Sequence, residues 1–141
     1  MEENNTQTQE SSTNDLLNTT IGENEGSKAL ECKPVVVAGI IVQTHNKDNK
    51  KMDTPLVNVM CKHPDKDEVI KITQIKWING DKMVNTALFA TVDEEGKFMK
   101  DSGVARLLSF ANKSALRDLE GFTFDTVKES ETSKYMCLKC Y

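Results

Sequence analysis

The residues of this chain whose types and placement could do chemistry are lysines and a few flat rings. Lys47, Lys50 and Lys51 cluster in a polar stretch, NKDNKKMDT, while Lys62, Lys71, Lys76 and Trp77 fall in segments that read as strands. Lys134 and Tyr135 lie at the last polar loop and the start of the last strand. Lysines can neutralise phosphates, and rings can stack on bases for about 1–3 kcal/mol per base, which is the chemistry of single-strand binding. The same residues have plainer readings. Surface lysine is commonplace, and Trp77 reads equally as a half-buried core side chain.

Other chemistries find little support. Cys137-x-x-Cys140, with Cys61 and His63, is half of a zinc motif, and a structural site wants four ligands. On a strand, residues three apart point to opposite faces, so no metal is expected there. A redox reading needs Cys-x-x-Cys at a helix start beside a βαβ unit, and neither occurs. His45 and His63 are expected to face solvent. Asp93, Glu94 and Glu95 read as a solvated turn. No phosphate-binding Gly-rich loop, nucleophile elbow or carboxylate pair is present, so no residue is assigned to catalysis and no cofactor is expected.

Length and composition bound the rest. At 141 residues the chain holds one ordinary domain. Residues 1–27 contain six acidic side chains and no Lys or Arg, a charge of −6; the whole chain is −4, so residues 28–141 carry +2. Rich in Asn, Thr, Glu and Ser, with little beyond Leu16, Leu17 and Ile21 to bury, residues 1–27 are expected to be a disordered acidic tail. The tail reads first as a solubility segment; the functional alternatives are competition with nucleic acid for a cationic groove or recruitment of a protein partner. No basic-then-apolar opening marks a signal peptide, and the longest apolar run, Val35 to Val42, cannot span a bilayer, so no membrane is expected. Four cysteines are too few for a disulfide framework, and the expected compartment is a reducing cytoplasm.

The elements that must position these side chains follow from periodicity. Val104, Leu107, Leu108 and Ala111 fall at i, i+3, i+4 and i+7, which predicts a helix with Ser102 as N-cap. Ser114 to Gly121 predicts a further short helical turn ended by the glycine. Around this helix, β-branched and alternating segments predict strands at Pro34–His45, Pro55–Lys62, Glu68–Ile78, Met83–Val92, Phe122–Lys128 and Tyr135–Tyr141. Gly39 suggests a bulge or bend, a second bulge is expected near Thr73 or Gln74, and Asn79-Gly80 signals a hairpin. The expected fold is mainly β: an OB-like small barrel of five to six strands over residues 28–141, with one helix before the last two strands plugging an open end. The runner-up is an open α+β sheet with the helix on one face.

The order "apolar strand, DEEGKF, KDSGVARLLSFA, SALRDLEG, strand, turn, YMCLKCY" resembles small OB-fold proteins of phages and mobile elements, of the single-stranded-DNA-binding type. The matching positions are Asp93 to Lys97, Ser102 to Leu108, Leu119 to Gly121, and Tyr135. The chain departs from that group by having few aromatics on the second and third strands. The resemblance implies a non-catalytic protein that binds single-stranded nucleic acid, DNA before RNA, in a bacterial host cell. OB barrels bind such ligands across strands two and three, between the loops after strands one and four. Mapped here, that region offers Lys47, Lys50, Lys51, Lys62, Lys71, Lys76, Trp77, Lys134 and Tyr135. The alternative is a protein-interaction or accessory module without nucleic-acid binding.

Overall fold

A computed structural model describes residues 30–141. The acidic tail expected over residues 1–27 lies outside the described residues.

The strands are β1 (Val35–His45), β2 (Lys51–Lys62), β3 (Ile70–Ile72), β4 (Gln74–Asn79), β5 (Lys82–Ala87), β6 (Thr123–Phe124), β7 (Thr126–Lys128) and β8 (Met136–Lys139). A helix, α1 (Gly103–Ala111), and a 3-10 turn, Leu116–Leu119, stand between β5 and β6. Two four-stranded sheets form, in the orders β3-β2-β1-β6 and β5-β4-β8-β7. A single residue, Thr73, separates β3 from β4, and a single residue, Asp125, separates β6 from β7. Each of these pairs is therefore one chain segment that leaves the first sheet and enters the second.

With both bends counted as single strands, the ladder closes. It runs from β1 to β2, to β3/β4, across to β8, back to β7/β6 and on to β1. Among the described strands only β4 and β8 run parallel. As five barrel strands the order is 1-2-3-5-4, with α1 between the third and fourth, and β5 is an added hairpin arm. This is the mainly β, OB-like small barrel expected from the sequence, and closing a sheet in this way leaves few unpaired edges.

Local chemistry explains each corner. A register shift between Val37 and Gly39 bends β1 where the glycine was expected to do so. At Thr73 the alternation resets, so that Ile72 and Ile75 are both buried although, with two residues between them, an unbroken strand would point them to opposite faces. The β4–β5 hairpin turns at Gly80 and Asp81, since Asn79 is already paired with Lys82. Gly80, at φ 68°, takes the first position of that two-residue turn. The fourth expected strand ends early. After Ala87 the chain crosses to β2, where Leu56 pairs with Phe89 and the Val57 N–H donates to the Leu88 carbonyl at 2.8 Å.

The helix forms as its spacing requires. The Ser102 hydroxyl accepts from the Ala105 N–H at 3.1 Å, and Asn112, at φ 57°, ends the helix in a left-handed cap. Val104, Leu107, Leu108 and Ala111 are buried in one cluster with Val35, Val37, Val57, Val59, Ile75, Phe124 and Leu138 from the barrel strands. Fully burying a Leu or Val side chain contributes about 1.5–3 kcal/mol each, so this contact fixes the helix to the barrel. Gly103 is demanded by proximity, because a Cβ there would collide with the Ala87 carbonyl oxygen. Ser114, in contrast, caps nothing. The following turn is 3-10 with no side-chain cap; its C-cap is Glu120, and Gly121, at φ 86°, takes the next position as expected.

Candidate functional site

Strand alternation sorts the expected binding residues into separate places. On β2, Val57, Val59 and Cys61 are buried, so Leu56, Asn58, Met60 and Lys62 project to the outer face of the first sheet. Lys71, between Ile70 and Ile72 on β3, faces the same way and lies directly across from Met60. Lys62, two residues along β2 from Met60, is thus its diagonal neighbour, within reach of one ligand. Ile41 lies across from Asn58 and Gln43 from Leu56, and Phe89 completes that row with its ring 41 % exposed. Asn58, although outward, is buried, and its Nδ2 donates to the Leu56 carbonyl at 3.1 Å.

The strands that build this face, with residues 88–92, contain one carboxylate, the exposed Asp53 near the start of β2. Lys62 and Lys71 make no ion pair among the described residues. The long β1–β2 ribbon carries Lys47 and Lys50 in its end loop and Lys51 at the start of β2, all exposed. That loop is shaped by Asn46, whose side-chain oxygen accepts from the Asp48 and Lys50 N–H groups at 2.9 and 3.0 Å, and by Asn49 at φ 60°.

Lys76 belongs to a different surface. It is on the second sheet, and its Nζ donates to the Lys128 and Glu129 carbonyls at 2.8 and 2.9 Å. The Glu129 carboxylate in turn accepts from Gln74 Nε2 and the Ser133 hydroxyl, each at 3.0 Å, and its carbonyl accepts from Asn85 Nδ2 at 3.0 Å. The β7–β8 loop is in this way fastened across the second sheet. Lys134 and Tyr135 are in that loop, exposed, with Tyr135 at 62 %.

Trp77 points the other way from Lys76. It shares the face of Ile75, is half-buried, and packs on the core cluster. Its Nε1–H donates to the Thr86 hydroxyl at 2.7 Å, and the Arg106 guanidinium of α1 lies 3.6 Å from its ring centre. One ring face is therefore already occupied by a cation, an attraction worth on the order of 1 kcal/mol. The pairing of Trp77 with Ile75 was readable from their spacing. Phe89, which the expected set omits, was readable in the same manner, as the residue out of phase with Leu88.

Cys61 and Cys140 are in the core cluster; Cys137 is buried outside it, beside Lys76 and Glu129. Burial pushes the Cys61 and Cys140 thiols up to about 12 and the Cys137 thiol up to about 11. Cys32 is exposed. No group of three or more His, Cys, Asp or Glu side chains suited to a metal ion occurs among the described residues.

His63 is buried rather than solvent-facing. Its Nδ1 accepts from the Asp65 N–H at 3.0 Å, which leaves the ring proton on Nε2, donated to the Glu31 carbonyl at 2.7 Å. Lys33 pairs with Asp65 at 2.7 Å, and the Thr126 hydroxyl donates to the Lys33 carbonyl at 2.8 Å. Hydrogen bonding to Lys33 holds the Asp65 carboxyl below its ordinary range. Residues 31–33 are thereby strapped between the β2–β3 turn and β7, next to Lys62. No helix among the described residues is long and apolar enough to cross a membrane.

Neither a protein-family model, nor a curated protein, nor a solved structure matches this chain.

Proposed function

We propose that the protein is a non-catalytic OB-type module that binds single-stranded nucleic acid, DNA in the first instance, across the outer face of β1, β2 and β3. The observation that carries this reading is the composition of that face: Lys62 and Lys71 beside Met60, the exposed ring of Phe89 on the row above, and a single carboxylate, Asp53 at the far end of β2, in the strands that build it. Cations for phosphates together with apolar and aromatic side chains for bases are the two requirements of a sequence-tolerant single-strand site. Lys47, Lys50 and Lys51 on the ribbon extend the positive surface beyond the sheet, where a strand lying across β2 and β3 would pass. Trp77 and Lys76 take structural roles in this account. The likeness to phage and mobile-element proteins of the single-stranded-DNA-binding type supports the same reading.

The test is a fluorescence titration with an oligo-dT at low and raised salt. The expected result is binding that weakens steeply as salt rises, because each neutralised phosphate releases a counterion. Absence of binding at low salt overturns the proposal.

A second reading, a protein-interaction module, has one observation in its favour. Ile78 and Met83 face each other across the β4–β5 hairpin and are 48 % and 49 % exposed. A pull-down that yields one partner, survives nuclease treatment and is lost on I78S/M83S substitution would favour it.

A further inference from the structure

We propose that the outward stripe of α1, Arg106 and Phe110 with Lys113 just past the helix, is a second contact for single-stranded nucleic acid, taking up the stretch of strand that runs off the lysine face past Phe89. The inference rests on the binding reading above and extends that site to an element it does not use.

Three observations carry it. The first is the state of Arg106. Its guanidinium lies 3.6 Å from the centre of the Trp77 ring, and Trp77 is itself held by the Thr86 hydroxyl, 2.7 Å from its Nε1. Arg106 takes part in no ion pair among the described residues, and its buried Nε has no hydrogen-bond partner there. A planar cation fixed by stacking, with its charge unanswered, suits a phosphate, whose oxygens the guanidinium fork engages two at a time.

The second is what stands beside it. Phe110, four residues on and so on the same helix face, is 44 % exposed, and its ring is stacked against that of Phe124 at 6.3 Å between centres. Ser109 and Lys113 are exposed, and α1 contains no Asp or Glu. Asp81 in the β4–β5 turn, Asp101 before the helix, and Asp118 and Glu120 after it are all exposed, and none pairs with Arg106. A cation and a ring one turn apart, about 6 Å along the axis, offer again the chemistry of Lys71 and Phe89. An acidic peptide uses the cations and leaves the ring idle, whereas a ligand of phosphates and bases uses both.

The third is position. Gly103, the first residue of α1, packs against the Ala87 carbonyl and the Thr86 methyl group, and Ala87 is two residues from Phe89. The way from Phe89 to Arg106 is therefore two residues of extended chain, about 7 Å, and three of helix, about 4.5 Å. Single-strand sites on OB folds take about 4–16 nucleotides, so a strand near the upper length that covers Lys62, Lys71 and Phe89 continues onto the helix.

The experiment titrates the full chain at low salt with oligo-dT of about 5 and about 16 nucleotides, the two ends of that range. It reads affinity from a label on the strand, and the helix stripe from the emission of Trp77, the only tryptophan. The longer strand is expected to change that emission, and the shorter one to change it less than half as much. Ser109→Glu sets a carboxylate on the exposed stripe without removing a contact, and is expected to weaken the longer strand by about three- to tenfold and the shorter by less than about twofold. R106Q is expected to do the same and to lower the slope of log affinity against log salt by about 1, for the longer strand only. Thermal unfolding is followed for both variants, and S109E decides the matter if R106Q does not fold. Unaltered affinity of the folded variants for the longer strand, or emission that no oligo-dT changes, overturns the inference and leaves the lysine face as the whole site. Emission that responds to a poly-glutamate peptide and not to oligo-dT also overturns it, and gives the stripe to an acidic protein partner. Binding of neither strand by the unaltered chain ends the binding reading and this extension of it together.

Discussion

The outer faces of the two sheets begin from the same materials and end as different surfaces. Both are made of strands whose inward residues are apolar and whose outward residues include lysine. On the second sheet the β7–β8 loop folds back, and its carbonyls and the Glu129 carboxylate engage Lys76, Gln74 and Asn85. On the first sheet Lys62 and Lys71 stand beside Met60 and near Phe89, and the one acidic residue of the supporting strands, Asp53, is at the far end of β2. The difference teaches that whether a lysine is available to a ligand is decided by the loop that passes over it, not by the strand it stands on. A strand lysine whose amine already has two carbonyl partners contributes to folding; one without them keeps its charge for a visitor.

Charge reversal on the first sheet should have the largest effect. The variant K62E/K71E is expected to lose oligonucleotide affinity by more than tenfold at low salt, with the slope of log affinity against log salt reduced by about 1–2, one unit for each lost phosphate contact. Thermal unfolding measured alongside should change little, since both side chains are exposed. Phe89→Ala comes next. If its ring stacks on a base, affinity falls by about 1–3 kcal/mol, read by the same titration, with the salt slope unchanged.

The reciprocal change on the second sheet should do the opposite. Lys76→Met leaves the Lys128 and Glu129 carbonyls without their donor and is expected to cost about 1 kcal/mol in denaturant unfolding, a typical net hydrogen-bond contribution, while affinity stays within twofold. A loss of affinity matching that of the first-sheet variant would erase the distinction between the faces.

The smallest effect concerns the thiols. At mildly alkaline pH, Cys32 alone is expected to react with a thiol reagent, because burial keeps Cys61, Cys137 and Cys140 protonated up to about 12, 11 and 12. The sign for stability follows. Above the ordinary thiol value of 9.0 the unfolded chain gives up these protons and the folded chain keeps them, so stability falls as pH rises from there toward 11–12. Denaturant midpoints across that alkaline range check it.

Much of the fold was legible before any coordinates. Ser102 and the spacing from Val104 to Ala111 located the helix, Gly39 located the bend in β1, and the broken alternation between Ile72 and Ile75 located the corner at Thr73. These are local signals, carried by capping, steric freedom and period. The candidate site was legible only in part. Lys62 and Lys71 were in the expected set, but so were Lys76 and Trp77, whose true surroundings depend on partners 52 and 53 residues away in one case and on Arg106 in the other. The phase of Phe89 opposite Leu88 was readable, but its place beside β2 was not, because its strand ends at Ala87 and the next residues make a long-range pairing with Leu56.

The most direct test of the central claim is backbone hydrogen exchange with and without a saturating oligo-dT. Slower exchange at Asn58 to Lys62, Ile70 to Ile72 and Leu88 to Ala90, with little change along β4, β5 and β8, is the result expected if the strand lies on the first sheet. Slower exchange confined to the β4–β5 hairpin and the β7–β8 loop would contradict it and move the site to the other face.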